Sequence, residues 1–161
     1  MDMRMHQLIL AAVLLIAASG AATPIDTGWD LLYAVESRNG GDFLDLLTES
    51  LRTQIESRFQ QLKELAESEP SFVDDALSSA GVNVTAFDLE WMSAPDFVSR
   101  ILEGVILPNL NEIIGEEASL AGRNADVTFE WNSGYVLTVQ MVWESSAWRV
   151  VGSPVLGEMF R

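Results

Sequence analysis

The chain has 161 residues, of which 24 are acidic and 9 are basic, and its formal net charge is −15. This length fits one globular domain, and the acidity excludes a basic phosphate-binding face, so nucleic acid is not an expected partner. The absence of cysteine excludes disulfides, thiolate catalysis, iron–sulfur clusters and cysteine zinc sites.

The first 22 residues have the pattern of a secretory signal peptide. Arg4 precedes an apolar run at residues 8–18, and small residues follow the run, as signal peptidase requires. The run is shorter than the roughly 20 apolar residues of a membrane-spanning helix, and a retained N-terminal anchor is the alternative. Cleavage would also remove His6, the only histidine. The sequence therefore predicts an exported protein, periplasmic or secreted, with no membrane span after cleavage, no metal site and no cofactor.

The sequence predicts that the domain, residues 23–151, begins with helices. A first helix begins at Thr27 and ends before Asn39, because a Gly-Gly pair follows. We expect this helix to bury one stripe of side chains: Trp29, Leu32, Tyr33 and Val35. A long second helix, capped by Asp42, is predicted over residues 43–67. Its apolar side chains recur every three or four residues, as on one helical face: Leu44, Leu47, Leu51, Ile55, Phe59, Leu62 and Ala66.

Two more helices are predicted before the strands. A short one begins at Ser71, and Gly81 is expected to stop it. Residues 82–92 alternate weakly between apolar and polar, which indicates an irregular strand or a packed loop. Ser93 is predicted to cap a helix that breaks or kinks at Pro108 and continues to Gly115.

From residue 118 the apolar period falls to two, as in half-buried β-strands. One strand has an inner face of Val127, Phe129 and Trp131, and a hairpin turn is predicted at residues 132–134. The next strand has a longer inner face: Tyr135, Leu137, Val139, Met141 and Trp143. A turn at residues 144–146 leads to a strand at 148–151, and residues 118–121 are a further candidate strand. Residues 152–161 form a C-terminal tail that is apolar enough to dock.

Both ends of the domain carry motifs that resemble the nuclear transport factor 2-like, or cystatin-like, superfamily. WDLLYAV at residues 29–35 is followed by GDFLDLLT at 41–48, and ESSAWRVV lies at 144–151. The resemblance implies an α+β fold in which N-terminal helices pack on a curved C-terminal antiparallel β-meander. It also implies a mostly apolar, cone-shaped pocket between long helix and sheet. It selects no function, because members include isomerases, dehydratases and exported proteins without a known catalytic role.

The candidate ligand-binding residues are aromatic side chains expected near that pocket: Tyr33, Trp91, Trp131, Tyr135 and Trp143. Such side chains suit pockets for apolar ligands, and core packing is the alternative for the tryptophans. Four carboxyl groups lie near apolar residues, where burial would make one of them a general base: Asp88, Glu90, Glu130 and Glu144. The alternative is that they meet water, and no spacing pairs two of them as an acid and a base.

These features favour an exported, non-enzymatic binding or accessory domain for a small apolar ligand or an envelope protein, with no catalytic residue assigned. One alternative is a pocket enzyme of isomerase or hydro-lyase type that uses a carboxylate and a tyrosine. Another is a docking domain of an envelope protein complex. A buried carboxyl beside Tyr33 or Tyr135 in an open cavity would favour the enzyme, and a filled core with a flat apolar sheet face would favour docking.

Overall fold

The computed structural model describes residues 22–152, in which six helices precede four strands. The helices are α1 (Pro24–Glu36), α2 (Gly40–Leu46), α3 (Glu49–Ser68), α4 (Pro70–Ser79), α5 (Ala86–Trp91) and α6 (Ala94–Leu102). A 3₁₀ turn (Leu110–Glu112) leads to β1 (Ile113–Ala121), β2 (Asn124–Trp131), β3 (Val136–Glu144) and β4 (Ala147–Gly152). This order confirms the predicted α+β class. The predicted signal peptide up to residue 21, and the predicted tail from residue 153, lie outside the described residues.

The sheet is an antiparallel meander with the strand order β1-β2-β3-β4. Its register places Val127 opposite Val139 and Phe129 opposite Leu137, and all four side chains are fully buried. The alternation therefore predicted the inner face of β2 and the centre of β3 correctly. Tyr135 was expected on the same face but precedes β3 and is 40% exposed, because it belongs to the turn that closes the hairpin.

Helices α1 and α2 cover one face of this sheet. Leu31 and Leu32 of α1 and Phe43 of α2 are fully buried and share one core cluster with the inner side chains of the strands. Gly28 lets the sheet approach α1 closely, since a Cβ atom there would lie 2.8 Å from Cζ of Phe129. The space between these helices and the sheet is therefore filled by side chains.

The predicted long helix is two helices in the structure. Asn39, rather than Asp42, caps α2. Leu47 then adopts an extended backbone and forms a parallel bridge with Val150 of β4. Thr48 donates its backbone N–H to the carbonyl oxygen of Val150 at 3.1 Å, and its side chain caps α3. The apolar residues keep their helical spacing across Leu47 and Thr48, but pairing with the edge of the sheet overrides this pattern.

Beyond the break, α3 packs with α4 and α5 around a second core: Phe59, Ala66, Val73, Leu77, Val84, Ala86 and Leu89. Gly81 has a φ of 72° just after α4, so the predicted stop is confirmed. The prediction of a strand or loop at residues 82–92 was wrong, because this segment contains α5. Its helical start is the Thr85 cap, which the weak alternation obscured.

Three other features differ from the prediction. α1 begins at Pro24, capped by Thr23 rather than by Thr27. Tyr33 is 54% exposed, so it does not belong to the buried stripe of α1. Ser93 caps α6 as predicted, but this helix ends at Leu102 and does not resume after Pro108. The residues that follow, predicted as helix, form the 3₁₀ turn and the start of β1.

The helices α1, α5 and α6 begin with the same reciprocal cap, formed by the pairs Thr23–Asp26, Thr85–Asp88 and Ser93–Asp96. In each pair the N-cap residue donates hydrogen bonds to the carboxylate from its backbone N–H and its hydroxyl. The backbone bond is the larger cause of the lowered pKa of Asp26 and Asp88, and the hydroxyl bond is the larger cause for Asp96. These bonds lower the pKa of all three aspartates below the ordinary value of 3.8.

The lowered pKa values predict a loss of stability in acid. The stabilisation is fully present above the unfolded-state pKa and disappears as the pH falls through the lower folded-state pKa. We therefore expect the triple variant D26N/D88N/D96N to lose less unfolding free energy than the wild type between about pH 5 and pH 2. Protonation of the remaining surface carboxylates relieves repulsion in both proteins, so the difference isolates the caps. Urea unfolding at both pH values measures it, and equal losses would contradict the assignment.

Candidate binding groove and exposed aromatic surface

The tryptophans predicted to bind ligand occupy three different environments. Trp131 is fully buried, and its indole N–H donates to the carbonyl oxygen of Asn109 at 3.0 Å. Trp143 is half-buried and meets Trp148 edge to face, with ring centroids 5.4 Å apart. Trp91 is 75% exposed at the end of α5. The structure therefore brings none of these three together in one pocket.

The two predicted tyrosines lie at opposite ends of a row of aromatic rings. Tyr33 stacks on Trp29 at 5.6 Å between centroids, and Trp29 meets Phe129 at 5.3 Å. Phe129 lies 6.5 Å from Trp131, which meets Tyr135 at 5.3 Å. The row runs from α1 across β2 to the following hairpin turn, so the tyrosines do not share a site.

The carboxylates considered as general bases lie at the surface. Asp88, Glu90 and Glu130 are exposed, and half-buried Glu144 accepts a weak hydrogen bond from the backbone N–H of Glu49 at 3.4 Å. Tyr33 lines a cleft of about 450 Å³, and every acid that lines the cleft with it is exposed: Asp30, Glu36, Asp42 and Asp45. None of these carboxyl groups is buried as the expected general base would be.

Residues 22–152 contain neither a cluster of metal ligands nor a membrane-spanning helix. No three side chains of aspartate, glutamate, histidine or cysteine in this range are arranged to hold a metal ion. Within the same range, none of the helices has both the length and the apolar composition needed to cross a membrane.

A cleft of about 780 Å³ lies between α3, α4 and α6, and we call it the helical groove. Its lining is mainly apolar and includes Phe59, Leu62, Leu77, Phe97, Ile101 and Val105. The rings of Phe59 and Phe97 contact each other with centroids 5.2 Å apart. Arg58 and Ser79 add polar groups to the lining. The volume falls within the usual range of small-molecule sites, about 300–1,000 Å³.

Sequence reasoning missed the helical groove, since its lining comes from three helices that are separated along the chain. The groove residues Leu62, Phe97 and Ile101 each fit a core stripe of their own helix, and the periodicity gives no sign that they stay half-buried.

Phe87 and Trp91 form an exposed aromatic surface on α5. The side chains are 71% and 75% exposed, and residues four positions apart lie on the same side of a helix. The opposite side of α5 is buried through Ala86 and Leu89. A short cleft of about 410 Å³ runs beside Phe87 and shares no lining residue with the helical groove.

Comparisons of this chain with protein-family profiles, with curated proteins and with solved structures find no match. The resemblance to the nuclear transport factor 2-like superfamily therefore stays a prediction. The function has to be argued from the site itself.

Proposed function

We propose that this protein is an exported, non-enzymatic binding domain whose helical groove takes a small apolar ligand. Export is supported by the signal-peptide pattern of the first 22 residues. The observation that carries the binding proposal is the lining of the groove, where the side chains of Phe97, Ile101 and Val105 are only half-buried in a cleft of about 780 Å³.

The chemistry of the ligand follows from the lining and from the charge. A molecule that covers these side chains would remove apolar surface from water at about 25 cal/mol per Å². The net charge of −15 repels anions at long range. We therefore propose a neutral, mainly apolar ligand of drug-like size or smaller.

We also propose that the fold is a variant of the cystatin-like architecture in which the ligand site has moved. The support is the motif pair at the two ends of the domain and the meander that follows the helices. In the superfamily pattern the pocket lies between helix and sheet. Here Leu31, Phe43 and Phe129 fill that space, and the helical groove lies between α3, α4 and α6.

The two alternatives have less support. The enzyme would need a buried carboxyl beside a tyrosine, but the acids beside Tyr33 are exposed. Docking through the sheet would need a flat apolar face. The side chains of β2 that point away from the helices are polar, however: Asn124, Asp126, Thr128 and Glu130.

A pair of substitutions on α4 tests the groove. Ala76 lines the groove and is exposed, whereas Ser78 is exposed on the same helix and does not line it. With the neutral fluorescent probe N-phenyl-1-naphthylamine, we expect saturable binding to the wild type. Ala76→Trp places an indole in the cleft and should weaken binding about tenfold or more, and Ser78→Trp should change it less than about twofold.

Two outcomes would contradict ligand binding in the helical groove. A wild-type protein that gives no saturable probe signal would contradict binding in the groove. Equal affinities for the Ala76→Trp and Ser78→Trp variants would place the probe elsewhere. Urea unfolding of both variants checks that a lost signal does not come from a lost fold.

A further inference from the structure

We infer that the aromatic surface of Phe87 and Trp91 docks a basic, apolar segment of a partner protein. Tryptophan and other aromatic residues are enriched at the centres of protein interfaces, where they supply most of the binding energy. Two such side chains, each more than two-thirds exposed on one helical side, present apolar surface that water covers in the free protein.

The helix beneath this patch is held in one orientation. Leu89 is fully buried in the second core. The carboxylate of Asp74 accepts the backbone N–H of Ala86 at 2.6 Å, and the ammonium of Lys63 donates to the carbonyl oxygen of Glu90 at 3.1 Å. The reciprocal cap described above closes its first turn. A preorganised surface loses little conformational entropy on docking, which suits a binding role.

The charges around the patch select the chemistry of the partner. The cleft beside Phe87 is lined by the carboxylates of Glu67 and Glu90 against one ammonium, that of Lys63. Asp88 adds a further exposed acid within α5 itself. Because the whole chain carries −15, a second copy, an anionic lipid surface and a nucleic acid are all repelled. A cationic partner is attracted and steered toward the patch.

A synthetic amphipathic peptide of lysine and leucine serves as the probe, with glutamate in place of lysine in its control. The chain has 5 tryptophans, so ¹⁵N-labelled protein gives separate indole N–H signals, and Trp91→Phe identifies the signal of Trp91. We expect the lysine peptide to shift that signal and to leave the indole of buried Trp131 in place. The glutamate peptide should shift neither.

Variants separate a docking surface from general charge attraction. We expect the double variant F87S/W91S to bind the lysine peptide about tenfold more weakly. Ile106→Ser, which changes a side chain that is 90% exposed on a loop, should bind it unchanged. Equal binding by wild type and F87S/W91S, or an unshifted Trp91 signal, would overturn the inference. A Trp91 shift on concentrating the protein alone would also overturn it, in favour of self-association.

The same double variant keeps this inference distinct from the proposed function. The patch and the helical groove share no lining residue, so F87S/W91S should bind N-phenyl-1-naphthylamine as the wild type does. Its urea midpoint should match that of the wild type, because both substituted side chains lie at the surface.

Discussion

Replacing Gly40 by alanine is expected to destabilise the fold by about 3 kcal/mol. A Cβ atom at Gly40 would lie 2.1 Å from the carbonyl oxygen of Pro95 and 2.7 Å from the backbone nitrogen of Ser99. Both are backbone atoms of α6, so no side-chain rotation relieves the clash and the two helices would have to separate. The N–H of Gly40 also donates to Oγ of Ser99 at 2.9 Å, a bond that the separation would break.

The neighbouring glycine provides the matched control. At Gly41 the nearest atom to an added Cβ is Oδ1 of Asn39, at 3.4 Å. Gly41→Ala should therefore leave the unfolding free energy unchanged or raise it by up to about 1 kcal/mol through helix propensity. Urea unfolding followed by circular dichroism compares the two variants, and matching midpoints would contradict the close packing of α2 on α6.

The close contact between Gly40 and α6 also affects the helical groove. α6 supplies Phe97 and Ile101 to the helical groove, and its position is fixed by the contact with Gly40. A variant that pushes α6 outward should therefore weaken probe binding as well as stability. Gly41→Ala should weaken neither.

The hairpin of β2 and β3 could be predicted from the sequence because its signals are local, whereas the start of β1 was predicted as helix. Val127, Phe129 and Trp131 alternate with polar residues, and a glycine with a φ of 82° closes the following hairpin. A strand with one buried face needs that alternation in any structural context. The prediction therefore did not depend on knowing what packs against the strand.

The break between α2 and α3 could not be predicted in this way. Leu47 continues the apolar period, and nothing next to it in the chain is a helix breaker. Its extended conformation comes from pairing with Val150, a residue that lies far away in the sequence. Tertiary contacts of this kind override local propensity.

The missed helix α5 did have a local signal. Thr85 and Asp88 match the spacing of a capping box, and Ala86 and Leu89 lie on the buried side of a single helical turn. Read with a period of two, the same residues resemble a weak strand. The capping box, rather than the apolar pattern, distinguishes a helix from a strand here. A helix that begins at this cap also places Phe87 and Trp91 together on its outer side.

Truncating Trp131 to alanine is expected to cost about 3–5 kcal/mol of unfolding free energy, the largest loss at any tryptophan. The side chain is fully buried and contacts the rings of Phe129 and Tyr135, so its removal opens a cavity in the main core. It also leaves the carbonyl oxygen of Asn109 without the indole N–H that donates to it at 3.0 Å, which adds a desolvation cost.

Trp91→Ala is the matched control, because it removes a tryptophan side chain that is 75% exposed. We expect it to change the unfolding free energy by no more than about 0.5 kcal/mol. Trp131→Phe should lie between the two, since it keeps most of the apolar volume and loses the hydrogen bond. Urea unfolding of the three variants measures this order, and a loss at Trp91 as large as that at Trp131 would contradict it. Composition alone cannot separate these tryptophans. Trp131 is held in the core by the sheet register, whereas the capped turn of α5 leaves Trp91 in solvent for a partner to cover.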